Sequence, residues 1–316
     1  MIVLSALGGY IITSYVFLKY PGILHKKKDV KFKAVHISHR GGAGENLENT
    51  MAAFQHAVNV GTQMLEIDCH ITRDGHVVVS HDNSLNRTAG MEGCITDTDY
   101  QDLPPMLGSL RTDFEFTHVT VGGEDRRIPL LREVFEKFPD LAINIDIKIN
   151  NDALIHEACA FHFVNKLIVE FKREHLTVWG NGSKEITDKC HKMNPSIGVL
   201  FSVKRVLLVV FLFYSGLLPF VPLHESFYEV LMPGVLLREN KFHVNFTSRQ
   251  KFFIRLADTL LMNRSIFQHL SARGIQTYLW VLNDREDFER AFRYGVTGVM
   301  TDFPSRLTEY MDAKSA

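Results

Sequence analysis

Two segments of this chain alternate polar and apolar residues with a period of two. In Ile143-Asn144-Ile145-Asp146-Ile147-Lys148-Ile149 every isoleucine falls on one face, and Asn144, Asp146 and Lys148 fall on the other. Between Gln63 and His70, Leu65 and Ile67 point one way while Glu66, Asp68 and His70 point the other. In a closed barrel wrapped by helices the apolar faces meet the helices, and the polar faces look inward. Glu66, Asp68 and Asp146 then converge on one interior space. Burying a single uncompensated carboxylate costs on the order of several kcal/mol, so the set demands positive charge. Lys148 supplies some of it, and hard oxygen donors on rigid strands are the ligand set of Mg²⁺ or Ca²⁺. Zinc suits the chain less, because no His or Cys cluster has its spacing. For either segment alone, the solvated face of a half-exposed antiparallel sheet is the better reading. Two such segments in a chain that alternates strands with helices reverse that preference.

The remaining reactive side chains fall at strand ends. His39-Arg40-Gly41-Gly42 follows an apolar strand, and His81-Asp82 follows Val77-Val78-Val79-Ser80. Both pairs would therefore sit at the carboxyl-end rim, where barrel chemistry occurs. A divalent ion, two imidazoles and the fixed cations Arg40 and Lys148 fit phosphoryl transfer. Its transition state needs charge neutralisation and proton management more than a protein nucleophile.

Strands are expected near residues 34–38, 63–69, 76–80, 142–149, 175–179, 196–201, 275–281 and 297–301, and helices at 48–60, 130–138, 152–173, 184–191 and 284–294. Several helices end at a glycine before the next strand, as at Gly61, Gly274 and Gly295. The pattern predicts an α/β fold, a (β/α)8 TIM barrel over residues 34–310, with a polar insertion at 83–125, an apolar insert at 203–230 and a tail at 311–316.

With 35 basic and 36 acidic residues, the charges nearly cancel, which argues against a nucleic-acid partner. The four cysteines are widely spaced and form neither a zinc module nor a disulfide framework. Residues 2–18 form a run of 17 without a charge, a helix of roughly 26 Å against a thin bilayer core of roughly 27 Å. A retained membrane anchor at residues 1–24 is expected, with a basic linker at 25–33 meeting lipid headgroups. The short span favours the endoplasmic reticulum. The apolar stretch 206–223 is read as an insert that dips into one leaflet or packs on the barrel, since a crossing would divide the barrel between two compartments. The lysines favour a cytosolic barrel, whereas triplets such as Asn181-Gly182-Ser183 would accept glycans on the other side.

The chain resembles the glycerophosphodiester phosphodiesterases. The run His39-Arg40-Gly41, Glu48-Asn49-Thr50, Ala53-Phe54, Gly61, Glu66-x-Asp68, Asp74-Gly75 and His81-Asp82 is similar to that family's opening signature in order and spacing. Asp146-x-Lys148, Trp280-Val281-Leu282-Asn283 and Thr301-Asp302 resemble its closing motifs, so the likeness covers about residues 35–310. With the expected anchor and insert, the whole resembles the membrane-bound lysophospholipase D subgroup. The resemblance implies His39 and His81 as the acid/base pair, and Arg40 and Lys148 on the phosphate. It also implies Glu66, Asp68 and Asp146 around a divalent metal, and Trp280 and Asn283 along the substrate pocket. Many members carry Glu where this chain has Asp146, which leaves His81 as an alternative ligand. The implied reaction releases the head-group alcohol of a lysophospholipid, giving lysophosphatidic acid, cyclic phosphatidic acid or both. The attacking oxygen is expected to be the substrate's own free hydroxyl, with metal-bound water as the competing route. The alternatives are hydrolysis of water-soluble glycerophosphodiesters such as glycerophosphocholine, and a noncatalytic lipid-binding barrel.

Overall fold

The computed structural model describes residues 2–148, 154–238, 241 and 244–315. Eight parallel strands form the centre: β1 (His36–Ser38), β2 (Met64–Ile71), β3 (Ala142–Ile147), β4 (Thr177–Gly180), β5 (Gly198–Val199), β6 (Phe227–Leu231), β7 (Gln276–Trp280) and β8 (Gly298–Thr301). Pairing runs β5-β4-β3-β2-β1-β8-β7-β6 around the wall. A parallel bridge between Leu200 and Phe227 brings its two ends together. The result is the expected (β/α)8 arrangement, nearly closed.

Its membership differs from the sequence expectation at two places. Val77–Val79 is no barrel strand: it folds back antiparallel on the end of β2, pairing His70 with Val78. The missing strand is β6, at the end of the stretch 203–230 read as an apolar insert. Phe227, Tyr228 and Val230 are buried there, and hydropathy alone gives a wall strand and an apolar insert the same appearance. The start of that stretch is the helix Val203–Tyr214, which buries Val206, Val209 and Leu212 against the barrel. The polar insertion holds a short helix, Leu85–Ala89, and a hairpin of Ser109–Arg111 with Val119–Val121. The end of the expected third strand, Ile149, lies outside the described residues.

The register explains the polar interior. Glu66 lies level with Asn144, and Asp68 with Asp146, on the adjacent strands β2 and β3. Ile67, Ile143, Ile145 and Ile147 are fully buried in the layer between the barrel wall and the helices. That apolar layer fixes the strands so that one slip of register would turn every carboxylate out of the barrel.

No helix among the described residues is long and apolar enough to cross a membrane. The expectation of an anchored barrel in the endoplasmic reticulum membrane is therefore corrected. The second half of helix Ile2–Lys19 is tied to the loop after the helix Val203–Tyr214 and to His269, while Val3, Leu4, Ile11 and Ile12 are exposed. Ser14 Oγ donates to Gly216 O at 2.6 Å, His269 Nδ1 pairs with Leu18 O at 2.8 Å, and Phe17 packs edge-on against Phe220. In the basic linker Lys28 Nζ donates to His224 O at 2.8 Å and His25 Nε2 pairs with Pro219 O at 2.7 Å, while Lys26, Lys27, Lys31 and Lys33 are exposed.

Candidate active site

A cavity of about 520 Å³ opens at the carboxyl ends of the strands, within the range of ligand pockets. His39, Arg40, Glu66, Asp68, His81, Asp146 and Lys148 line one side, and Phe201, Val206, Leu207, Leu231, Pro233 and Leu261 line the other. Trp280 also lines it. Asn283 does not belong to that lining.

The first motif is a tight turn. His39–Gly41 follows β1 directly, and Arg40, Gly41 and Gly42 adopt φ of 49°, 77° and 96°. A Cβ at Gly41 would stand 2.4 Å from Phe54 Cδ1, so only glycine lets the turn close on the next helix. Thr50 starts that helix, its Oγ1 accepting from Ala53 N, while Asn49 Nδ2 reaches back to Asp68 Oδ2 at 2.9 Å. The spacing of Glu48-Asn49-Thr50 thus serves a cap, a carboxylate and an arginine together.

Each imidazole is held by a carboxylate on Nδ1. His39 Nδ1 lies 2.7 Å from Asp302 Oδ1, and His81 Nδ1 lies 2.7 Å from Asp82 Oδ1. Those carboxylates leave Nε2 of both rings unengaged among the described residues; on His39 it stands 3.9 Å from Glu66 Oε2. Asn283 Nδ2 donates to Asp302 Oδ2 at 3.1 Å, and its Oδ1 accepts from Asp302 N at 3.0 Å. Asn283 therefore orients the partner of His39, which the sequence had not separated from a place in the pocket.

Arg40 is heavily committed. Its Nη1 lies 3.2 Å from Glu48 Oε1 and 2.9 Å from Asp113 Oδ2, and its main-chain N donates to Glu66 Oε2 at 2.9 Å. Arg87 bridges Glu48 and Asp82, joining the two histidine sides. Asp113 comes from the polar insertion, as does Phe114, whose ring stands edge-on to His39 and Trp280. Neither they nor Arg87 followed from the sequence, since that insertion carries no periodicity.

Lys148 Nζ sits between Asp146 Oδ2, at 2.6 Å, and Asp68 Oδ1, at 3.0 Å. Asn181 Nδ2 completes the surroundings of Asp146 at 2.8 Å. Burial works against ionised Asp68, but Lys148, Arg40, His81 and the Asn49 hydrogen bond together hold its carboxyl below the usual range. Glu66 goes the other way: burial and the neighbouring Asp68 charge push it well above the ordinary glutamate value. The two adjacent carboxyls are thus displaced in opposite directions, Asp68 taking the nearby cations and Glu66 feeling burial and the Asp68 charge. Among the described residues no group of three or more His, Cys, Asp or Glu is gathered as a metal cluster. Lys148 lies where part of the cation charge was expected.

A carboxylate-rich barrel mouth with two oriented imidazoles and fixed cations defines a phosphodiester-cleaving (β/α)8 enzyme. The chain belongs to the glycerophosphoryl diester phosphodiesterase family, whose model matches residues 39–306. It is 55% identical over 313 residues to lysophospholipase D GDPD1 of Rattus norvegicus, covering 99% of this chain and 97% of that protein. It is 36% identical to lysophospholipase D GDPD3 of Homo sapiens, covering 98% and 95%. Its fold resembles a phosphodiesterase of Oleispira antarctica solved with the product sn-glycerol-3-phosphate, with a TM-score of 0.59, 17% identity, and 89% and 98% of the two chains covered.

Proposed function

We propose that this phosphodiesterase acts as a lysophospholipase D, releasing the head-group alcohol from one-chain glycerophospholipids. The observation that carries the reading is the division of one cavity: charged machinery lines one side, and an apolar wall from the helix Val203–Tyr214 and its neighbours lines the other. A water-soluble diester has no use for that wall, whereas an acyl chain does.

In the proposed reaction Nε2 of one imidazole takes the proton of the attacking oxygen, and Nε2 of the other protonates the departing alcohol oxygen. Asp302 and Asp82 hold the two rings in the orientation this exchange requires. Arg40 and Lys148 face the nonbridging phosphate oxygens, and Trp280 borders the substrate. Glu66, Asp68 and Asp146 suit a hard divalent cation such as Mg²⁺ or Ca²⁺, while His81, with Nδ1 on Asp82, keeps Nε2 for the proton exchange and adds no ligand. The raised carboxyl of Glu66 supports that fit, because added positive charge would return it to the ionised form. Such an ion supplies Lewis-acid neutralisation of the phosphoryl charge.

Choline release is measured from lysophosphatidylcholine and from glycerophosphocholine with the purified protein. Preference for the lipid supports the assignment, and turnover of the soluble diester alone overturns it. His39→Ala serves as the control that ties turnover to this site.

A further inference from the structure

Two polar side chains in the cavity have no part in the reaction above. Asn144 stands on β3 level with Glu66, two residues before Asp146, and Glu229 stands on β6 level with Tyr278. Asn144 Nδ2 donates to Glu229 Oε1 at 2.8 Å, and both residues line the cavity. Asn144 is 1% exposed, yet its Oδ1 has no partner among the described residues. Turning the amide over would only exchange the atoms, leaving Nδ2 orphaned. A buried polar atom left unpaired costs about 1–3 kcal/mol, so a partner from outside the chain is expected there.

The chemistry of that partner follows from what the pair offers. Burial pushes the Glu229 carboxyl up to about 8, overcoming the Asn144 hydrogen bond, and Asp146 adds to the effect. At neutral pH the group is mostly a neutral acid and brings an O–H donor beside the Asn144 acceptor. An adjacent donor and acceptor without net charge match an alcohol, which accepts one hydrogen bond and donates another. A phosphate would need donors or cations, and an ammonium would need acceptors alone. The position agrees, since Val230 and Leu231 continue from Glu229 into the apolar lining, while Asp146 and Lys148 continue from Asn144 into the charged lining. In a one-chain lipid the free glycerol hydroxyl likewise stands between the phosphate and the acyl chain.

We infer that the Asn144 and Glu229 pair is a hydroxyl seat that recognises the free glycerol hydroxyl of the substrate and excludes two-chain lipids. Their corresponding oxygen is esterified and has no proton to give Asn144 Oδ1. The inference rests on the lipid substrate class proposed above.

The test is calorimetric binding of two product-type probes to the full chain: lysophosphatidic acid, and its analogue lacking the hydroxyl. The wild-type protein is expected to bind the hydroxylated probe about 5- to 30-fold more tightly, the value of one or two hydrogen bonds to otherwise unpaired groups. Asn144→Leu and Glu229→Leu should bring that ratio close to one, and Glu229→Gln, which keeps a donor and an acceptor, should retain most of it. Asn144→Leu is a near isostere that removes the orphaned atom together with the donor to Glu229 Oε1, and once its folding is confirmed by thermal melting it decides the matter alone if Glu229→Leu does not fold. A wild-type ratio near one, or an undiminished ratio in folded Asn144→Leu, overturns the seat. Choline release from lysophosphatidylcholine is read in parallel. Lost turnover with intact discrimination by the wild type rejects the lipid reaction and leaves the seat standing, whereas turnover without discrimination rejects the seat alone.

Discussion

Asp302→Asn isolates what the buried carboxylate does for His39. Asp302 is 1% exposed, and its two oxygens are divided between His39 Nδ1 at 2.7 Å and Asn283 Nδ2 at 3.1 Å. The substitution keeps the shape and removes the charge. A hydrogen bond to a charged group contributes about 1.5–3 kcal/mol, and each 1.36 kcal/mol of barrier is tenfold in rate, so this loss alone lowers kcat about 10- to 150-fold. A carboxamide also no longer enforces Nδ1–H, and the wrong tautomer removes the free Nε2 lone pair, which carries the expected fall toward about 10³-fold. KM should change little, because Asp302 faces the ring rather than the cavity. Steady-state choline release from lysophosphatidylcholine measures both constants. A kcat within twofold of wild type would refute the assignment of Asp302 as the orienting group. Acid stability offers a second readout. Burial raises the Asp302 carboxyl, but the His39 charge and hydrogen bond, with Asn283 and Arg40, outweigh it and hold the group below its ordinary value of 3.8. Its folded value is depressed, so its stabilising contribution is present above 3.8 and is lost as pH falls through the lower folded value. The Asn variant should lack that part of the acid transition.

Exhaustive chelation should abolish turnover, with Mg²⁺ or Ca²⁺ restoring it; full activity in chelator would remove the proposed cation. Lys148→Met leaves Asp68 and Asp146 without their shared ammonium, and with Lys148 21% exposed the expected loss is about 1–3 kcal/mol of stability, read by thermal melting, with turnover falling more than about 100-fold. Leu207→Glu places a charge on the apolar wall and should raise KM for the lipid while leaving glycerophosphocholine hydrolysis nearly unchanged. Equal losses on both substrates would contradict the role given to that wall.

The inner carboxylates were legible because a strand has a strict period: Glu66, Asp68 and Asp146 could be assigned to one face before any partner was known. The glycine-rich turn after β1 was legible as a motif, but its cause, the approach of Phe54 to Gly41, is a contact between elements and leaves no periodic trace. Strand β6 was lost because Phe227-Tyr228-Glu229-Val230-Leu231 follows the apolar stretch 206–223 after only His224-Glu225-Ser226 and was read into the same insert. The polar residue at its centre was the one signal of an inward face. Asp113 and Phe114 reach the site from a loop whose path is set by tertiary packing. Residues 2–18 have the length of an anchor, yet Ser14 and the Leu18 carbonyl bond to the barrel flank. Lack of charge alone does not say whether such a helix meets lipid, solvent or protein, and here Val3, Leu4, Ile11 and Ile12 are exposed.

The central claim is that the charged side of the cavity breaks the bond between phosphorus and the head-group oxygen. Phosphorus NMR of lysophosphatidylcholine incubated with the purified protein tests it directly, with free choline quantified in the same tube. The account predicts lysophosphatidic acid or its cyclic phosphate, in amounts matching choline and absent with His39→Ala. Phosphocholine as the product, or loss of the acyl chain with the diester intact, would contradict it.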